Sequence, residues 1–274
     1  MTITVYLTGG MGNQMFHWAA GRALAYRLGT NIDLDISSFD SDPLRVFSLH
    51  LWKGVMNTPT RRDTPCPIIR DYRMPFNPLL FESAPQSCSI CGHFQTEKYF
   101  SEVSDLLRED FTPREELPAS SLETQERIQK EGSRSVFICI RRGDYVGNDL
   151  MGLLPMDYYQ RAASIVAERV GDPYFFVFSD EPEWCRQYFK LPYRTVVAGN
   201  FYRTVEGKLG REDAELTLMR QCRHAILANS SYPWWGAFLG DKQPNRLVIA
   251  PNQWFGPASS QDSRDIIPER WIRI

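Results

Sequence analysis

The sequence predicts an α/β fold made of two domains, and three observations support this prediction. Short β-branched stretches alternate with stretches of helical periodicity, a pattern that favours parallel sheets. The chain has 274 residues, while one domain usually takes about 150. A strand, a glycine-rich turn and a helix open the chain in the manner of a Rossmann-like half. We place residues 1–130 in the first domain and 131–274 in the second.

The composition is that of a globular protein with no strong bias of charge. Hydrophobic residues make up 43% and charged residues 23%, and the formal net charge is -2. No basic stripe runs along a helix or strand, so nucleic acid is not expected as a partner. No signal peptide and no apolar run of membrane-spanning length is evident, and six scattered cysteines do not form a secreted disulfide scaffold. We therefore expect a soluble protein of the cytoplasm.

In the first domain the hydrophobic pattern predicts a regular beginning and an irregular middle. The region from about 40 to 85 is rich in proline and aromatic residues and is expected to hold only short helices. The elements predicted in order are a strand at 2–8, a helix from the glycine turn to Leu28, a strand at 31–35, a strand beginning at Ile90 and a helix through 103–107.

The turn before the first helix has the composition of an anion site. It is not the dinucleotide fingerprint, because Met15 stands where the third glycine belongs. Its glycines, among them Gly10 and Gly12, let backbone amides approach an anion at the helix N-terminus, and Asn13 and Gln14 add side-chain donors. The alternative is a tight turn that binds nothing.

The second domain repeats the alternation of strands and helices and follows a charged linker whose helix at 122–130 is expected to bridge the domains. The predicted strands are 136–140, 174–178, 195–197, 225–228 and 247–250, and the predicted helices are 155–170, 182–189, 212–224 and 233–240.

Three of these strands end in polar groups, and the carboxyl ends of parallel strands meet at one edge of a sheet, where ligands bind. The first carries two arginines, whose planar donors match phosphate oxygens, and a carboxylate. The alternatives are a surface ion pair and ordinary helix caps. The residues concerned are Arg141, Arg142 and Asp144, then Ser179 and Asp180, then Asn229, Ser230 and Ser231.

No metal site is predicted. Cys88 and Cys91 have the spacing of metal ligands, but no second pair follows to complete a zinc site. The Asp33–Leu34–Asp35 stretch matches an Asp-x-Asp motif by spacing alone, and strand alternation explains it.

Four stretches together resemble the bacterial α1,2-fucosyltransferases, inverting enzymes that use GDP-fucose. They are Gly9 to Phe16, Gly92 to Phe100, Ile140 to Tyr145, and Ala228 to Ala237, with Phe178–Ser179–Asp180 in between. The resemblance implies a GT-B type α/β fold, with two Rossmann-like domains facing across a cleft. The donor GDP-fucose would lie mainly on the second domain and a galactose-terminated glycan mainly on the first.

The resemblance also implies how the site works. Neither a metal nor another cofactor is expected, because arginine can neutralise the leaving diphosphate. The acceptor would belong to O-antigen or a similar surface polysaccharide. It would be built at the cytoplasmic face of the inner membrane, with peripheral membrane association possible.

The resemblance gives roles to individual residues. Arg141 would stabilise the leaving group, Asp144 would orient it or contact donor hydroxyls, and His17 is a candidate base beside Asp35 and Glu97. The other donor-binding candidates are Gly10, Gly12, Asn13, Gln14, Arg142, Ser179, Asp180, Asp213 (at the guanine edge), Asn229, Ser230 and Ser231.

Two departures from the family pattern limit the transfer of roles to single residues. Cys139 stands where the family usually has histidine, and Tyr232–Pro233 replaces Phe-Ser before the paired tryptophans. A catalytically inactive nucleotide- or glycan-binding protein of the same fold therefore stays open as an alternative. A dehydrogenase is disfavoured by the missing third glycine.

Overall fold

The computed structural model describes residues 1–55, 66–199 and 211–274, and these form two α/β units. Unit 1 contains Met1–Glu115 with Gln261–Pro268, and unit 2 contains Glu116–Ser260 with Glu269–Ile274. The helix Ala119–Glu131, expected between the domains, packs within unit 2. Its Ile128 is buried, and Gln125 Nε2 donates to Gln221 Oε1 at 3.3 Å.

Unit 1 has a parallel sheet of four strands in the order β2-β1-β4-β3. The strands are β1 (Thr2–Tyr6), β2 (Asn31–Asp35), β3 (Ile68–Asp71) and β4 (Cys88–Gly92), and the helices are α1 (Met11–Leu28), α2 (Leu79–Glu82) and α3 (Ser104–Asp110).

Helix α1 lies directly on one face of this sheet. The close approach requires glycine at position 21, because a Cβ there would lie 2.2 Å from the Val5 side chain. The helix ends as the sequence predicts: Gly29 takes the left-handed conformation at φ 60°, and its N–H donates to the carbonyls of Ala25 and Tyr26.

Unit 2 has a parallel sheet of six strands in the order β10-β9-β8-β5-β6-β7. The strands are β5 (Ser135–Ile140), β6 (Tyr174–Ser179), β7 (Arg194–Gly199), β8 (His224–Ile226), β9 (Val248–Ala250) and β10 (Ile272–Arg273). The helices are α4 (Ala119–Glu131), α5 (Met156–Val170), α6 (Pro182–Tyr188), α7 (Glu212–Gln221) and α8 (Ser231–Leu239).

The core of unit 2 lies between the sheet and α5. Val136, Ile138 and Ile140 face that helix on alternate positions of β5, and they pack with Tyr158 and Tyr159. Each apolar side chain of this size contributes about 1.5–3 kcal/mol on burial. This packing fixes the position of β5 and therefore the point at which the chain leaves the sheet after Ile140.

The predicted alternation of strands and helices is confirmed in both units, with three differences. The region 40–85 was expected to be irregular, yet it contains β3, which pairs with β4 at the edge of the sheet, while its residues 56–65 lie outside the described chain. The strand β10 was not predicted. Helix α7 ends at Gln221 rather than at residue 224, because the backbone turns extended at Cys222 and His224 opens β8.

Two further observations concern function classes. Among the residues described, no helix has both the length and the apolar character needed to cross a bilayer. The side chains of Cys88 and Cys91 lie on opposite faces of β4, so the two thiols do not converge on one point.

Candidate functional site

The three polar strand ends of unit 2 meet at one edge of its sheet. Strand β5 lies between β6 and β8, and all three run parallel. Arg141 follows β5 directly, Asp180 follows β6, and Asn229 follows β8 after two further residues. These groups therefore lie together, as predicted, because the carboxyl ends of parallel strands meet at the same edge of the sheet.

Arg141 is the centre of this edge. Its Nη1 atom lies 2.8 Å from Asp180 Oδ2, and its Nη2 atom donates to Asp144 Oδ1 at 2.5 Å. The arginine side chain is only 7% exposed. A buried guanidinium held by two carboxylates is fixed in direction and keeps its charge.

The two carboxylates differ in how firmly they are held. The Asp180 side chain is 5% exposed, and Arg142 N–H donates to its Oδ1 at 3.0 Å. Burial raises the pKa of Asp180, while the positive charge of Arg141 acts to lower it. Asp144, by contrast, is 49% exposed. Asp180 is thus the buried partner of the arginine, and Asp144 is its half-exposed partner.

Tyr145 packs its ring against Arg141, a role that the sequence does not indicate. The guanidinium carbon of Arg141 lies 5.3 Å from the centre of the tyrosine ring. The Tyr145 hydroxyl donates to the Asn229 carbonyl at 3.1 Å, and burial raises its pKa to about 12. Its position directly after Arg-Gly-Asp was the available signal. Tyr145 connects the β5 loop to the end of β8.

Arg142 turns away from Arg141 toward partners that the sequence did not indicate. Its Nε donates to Glu181 at 2.8 Å, and its guanidinium carbon lies 3.6 Å from the centre of the Trp184 ring. These partners stand about forty residues later in the chain, so no local pattern reveals them. Arg142 therefore joins the loop after β5 to the start of α6.

The other predicted groups of this edge are bound to the protein itself. Ser179 Oγ accepts from Glu181 N–H at 3.0 Å. The two hydrogens of Asn229 Nδ2 are shared among the carbonyl oxygens of Met151, Gly152 and Trp254, which lie at 2.8–2.9 Å. Ser230 is the N-cap of α8, and its side chain makes no capping hydrogen bond, while Ser231 begins the helix. The third residue of α8 is Pro233, which has no N–H to offer.

Asp213 lies in the first turn of α7, as predicted, and is fully buried. Arg211 holds it with two hydrogen bonds, Nε to Oδ1 at 2.8 Å and Nη2 to Oδ2 at 2.9 Å. This paired carboxylate at a helix N-terminus fixes the start of α7.

Cys139 and Tyr232, the two departures, are both buried. Cys139 is enclosed in β5 two residues before Arg141, and desolvation raises the pKa of its thiol well above the usual value, so the thiol is protonated. The Tyr232 hydroxyl donates to the Glu212 carbonyl at 2.6 Å, which joins α8 to the start of α7.

In unit 1 the glycine turn has the predicted conformation. Gly9 takes φ +72°, and Gly10 is the N-cap of α1, with Gly12 buried in the first turn. A Cβ at Gly9 would lie 2.6 Å from Asn13 Nδ2, so glycine is needed there for both reasons. Asn13 Oδ1 accepts from Gln95 Nε2 at 3.1 Å.

Gln14 is buried, and its amide joins the turn to a distant loop. Its Nε2 donates to the carbonyls of Gly9 and Val46, both at 2.8 Å, and its Oε1 accepts from Ser48 N–H at 2.9 Å. The side chain therefore holds the loop at 46–48 against the start of α1.

His17 is buried in unit 1 with backbone groups beside its ring. Its Nδ1 accepts from Thr8 N–H at 3.4 Å, and it also hydrogen-bonds to the backbone of Gly92. Desolvation is the main reason that its pKa falls to about 3. The ring is thus neutral at pH 7, and its two nitrogen atoms join α1 to the backbone at Thr8 and Gly92.

This burial predicts that acid destabilises the protein through His17. Its pKa is about 3 in the folded state, against an ordinary value of 6.5 for an unfolded chain, so the unfolded chain takes up more protons as the pH falls from 6.5 toward 3. We expect the free energy of unfolding of the wild type to fall by about 2 kcal/mol more between pH 7 and pH 5 than that of His17→Gln. Urea denaturation at both pH values measures this difference.

The exposed His50 provides the matched control. His50→Gln removes a surface histidine and leaves the buried one in place, so the two variants are measured side by side. A wild-type dependence on pH in His17→Gln would contradict the buried, neutral state of His17.

Comparison with known proteins supplies the family. The family model described as glycosyl transferase family 11 matches residues 1–274. An Escherichia coli protein named alpha-1,2-colitosyltransferase is 32% identical over 99% of this chain and 98% of its own length. A mouse protein named galactoside 2-alpha-L-fucosyltransferase Sec1 is 24% identical over 99% of this chain and 73% of its own.

The fold has a counterpart among solved structures. A mutant of Arabidopsis thaliana FUT1 in complex with GDP aligns with a TM-score of 0.50 at 9% identity, covering 91% of this chain and 70% of that one. At this identity the likeness concerns the fold alone. With the two parallel-sheet units, it confirms the predicted α/β, GT-B type class. The match of the family model over the whole length shows that the chain belongs to glycosyl transferase family 11.

Proposed function

We propose that this glycosyltransferase moves L-fucose from GDP-β-L-fucose to the 2-hydroxyl of a terminal galactose, with inversion and without a metal ion. Membership of family 11 and the name of the mouse relative support the sugar and the linkage. The structural observation that carries the proposal is the buried Arg141 at the carboxyl edge of the unit 2 sheet. The product would be a surface polysaccharide such as O-antigen, made in the cytoplasm.

In the proposed reaction the galactose oxygen attacks the anomeric carbon of fucose as the bond from that carbon to the β-phosphate oxygen breaks. The β-linked sugar becomes an α-fucoside, and GDP leaves with the bonding electrons. The proton of the acceptor hydroxyl passes to a carboxylate base, for which Asp35 and Glu97 are the candidates. Negative charge grows on the diphosphate during this step, and Arg141 offers a fixed donor where charge develops. His17 has no part in the proposed proton transfer, because its pKa is about 3 and its ring is buried.

The difference between the two carboxylates explains how Arg141 can receive a diphosphate. Asp180 is buried and stays in place, so the guanidinium keeps its direction. Asp144 is half exposed, and a phosphate oxygen can take its position on Nη2. In this proposal Asp144 then becomes available to donor hydroxyls.

The remaining candidates have supporting roles in this proposal. Arg142 and Ser179 hold the loops around Arg141 and Asp180, and Asn229 fixes the approach to α8. Asp213 stays a candidate for the guanine edge.

A second donor is favoured by the name of the E. coli relative. Colitose differs from fucose by the absence of the 3-hydroxyl, and that relative is named a colitosyltransferase. GDP-colitose would need the same Arg141 contact and the same displacement, so the two donors differ only in the contacts of one hydroxyl.

The test is transfer to lactose from GDP-fucose, GDP-colitose and GDP-mannose, each with and without EDTA. Product linkage and anomeric configuration are read by NMR. An α1,2-linked fucosyl product that forms equally in EDTA supports the proposal, and a colitosyl product alone supports the second donor. Tight binding of GDP-fucose without turnover would point to an inactive binding protein, and loss of transfer in EDTA would contradict metal independence.

Gly143→Ala is expected to lower kcat for transfer about tenfold through Asp180. A Cβ at this position would lie 2.7 Å from Asp180 Oδ2, and crowding of this kind costs about 1–3 kcal/mol. The carboxylate must move and will turn Arg141 with it. Steady-state kinetics with GDP-fucose measures the effect.

Gly147→Ala is the matched control in the same loop. A Cβ there meets nothing within 4 Å, although its φ of +75° strains the backbone. Equal losses in both variants would show that the loop backbone, and not Asp180, governs the rate.

A further inference from the structure

The face of the unit 1 sheet that lies opposite α1 carries a cavity with a volume of about 350 Å³. Two rows of side chains cross the four strands on this face, as the strand register shows. The first row contains Asp33, Thr4, Ser89 and Ile68, and the second contains Asp35, Tyr6, Cys91 and Arg70. Such a mixture of hydroxyl, aromatic and charged groups does not suit a packed helix, which needs an apolar face.

The floor of the cavity contains a polar atom that is buried without a partner. Thr4 is 2% exposed, and its Oγ1 atom makes no hydrogen bond within the part of the chain described. Its neighbour Ser89 is satisfied, since its Oγ lies 3.0 Å from Cys66 Sγ. Buried hydroxyls nearly always have a partner, which for Thr4 would come from water or from a molecule bound in the cavity.

The walls supply what a sugar ring requires. Tyr6 and Tyr72 line the cavity, and the Tyr72 hydroxyl lies 2.9 Å from Cys91 Sγ, which steadies its ring. Asp35 and Arg70 stand on the outer strands, about 14 Å apart across three strand spacings. This pair adds no net charge to the cavity and places an acceptor at one end and donors at the other, which suits a neutral molecule with many hydroxyls.

We propose that this cavity binds a sugar unit of a galactose-terminated oligosaccharide. A tyrosine ring packs against the carbon-bound hydrogens of the sugar, Asp35 accepts from one hydroxyl, Arg70 donates to another, and Thr4 Oγ1 takes the partner that it lacks in the protein. The inference rests on the proposed function for the identity of the sugar. It adds the residues that hold it.

The test measures the binding of lactose in the absence of donor. Binding is detected by saturation-transfer NMR, and the affinity is obtained by titration. Tyr72→Ala should weaken binding about tenfold, because it removes the aromatic wall. Thr4→Val keeps the shape and removes only the hydroxyl, so it should weaken binding several-fold while the midpoint of urea unfolding stays the same or rises. Tyr26→Ala is the matched control, since Tyr26 is 57% exposed on α1 and Tyr72 is 54% exposed.

The outcomes separate this inference from the proposed function. Wild-type lactose binding that is unchanged in both Tyr72→Ala and Thr4→Val overturns the cavity, even if fucose is transferred. Absence of lactose binding to the wild type at millimolar concentration overturns it as well. Binding that is lost in both variants upholds the cavity, even if GDP-fucose proves not to be a donor.

Discussion

Replacement of Arg141 by alanine is expected to lower kcat for sugar transfer about 10²–10³-fold, the usual effect of losing one donor to a developing negative charge. The guanidinium is buried, fixed by Asp180 and directed at the edge where the strand ends meet. A water molecule that fills the space left by the side chain is uncharged and cannot take over this role. Steady-state kinetics with GDP-fucose and lactose measures the loss.

Two variants make this expectation specific. Arg141→Lys keeps the charge but cannot contact Asp144 and Asp180 through one planar fork, so its kcat should lie between those of the wild type and the alanine variant. Arg186→Ala removes an arginine of the same unit that is 53% exposed and pairs with Glu183, and it should leave kcat unchanged. A normal rate for Arg141→Ala would remove this residue from the reaction.

Replacement of Asp180 by alanine is expected to lower the free energy of unfolding by about 3 kcal/mol, the lower end of the range for a broken buried ion pair. The substitution leaves Arg141 buried with the exposed Asp144 as its remaining carboxylate in the β5 and β6 loops. It also removes the acceptor of the Arg142 N–H. Urea denaturation of wild type and variant measures the change.

The double variant Arg141→Met with Asp180→Ala separates charge from packing. Because it leaves no unpaired buried charge, it should recover much of the stability that Asp180→Ala loses. Asp144→Ala should cost no more than about 1 kcal/mol, since exposed ion pairs contribute little. Equal losses in the Asp144 and Asp180 variants would contradict the distinction between a fixed and a displaceable carboxylate.

The strand ends of unit 2 could be predicted from sequence because each signal is local. A β-branched run followed directly by Arg141 or Asp180 gives both the strand and the place where it ends. The parallel order then brings the ends together without further information. For the same reason the helices of unit 2 were predicted within a few residues.

The partners of these residues could not be predicted, because they are distant in sequence. Glu181 and Trp184 engage Arg142 across about forty residues, and nothing near Arg142 indicates them. Gln14 illustrates the same limit in unit 1. The sequence shows an amide at a helix N-terminus, whereas the folded chain uses that amide to hold Val46 and Ser48.

The cavity on the unit 1 sheet, lined by Thr4, Tyr6 and Arg70 among the residues described, could not be predicted either. Alternation in β1 was predicted, but alternation does not say whether the second face packs against a helix or borders a cavity. That outcome depends on which other segments reach the face. The available signal was the alternation itself: Ile3 and Val5 make one face of β1 apolar, whereas the polar Thr4 lies on the other face.

The most direct test of the central role of Arg141 is calorimetric binding of GDP and of guanosine in EDTA, with wild type and Arg141→Ala. Guanosine lacks the diphosphate, so the difference in affinity between the two ligands reports the anion site. We predict that the wild type binds GDP much more tightly than guanosine without any metal, and that Arg141→Ala loses at least tenfold of this preference. An equal preference in both proteins, or GDP binding that needs a metal ion, would contradict the assignment of the diphosphate to Arg141.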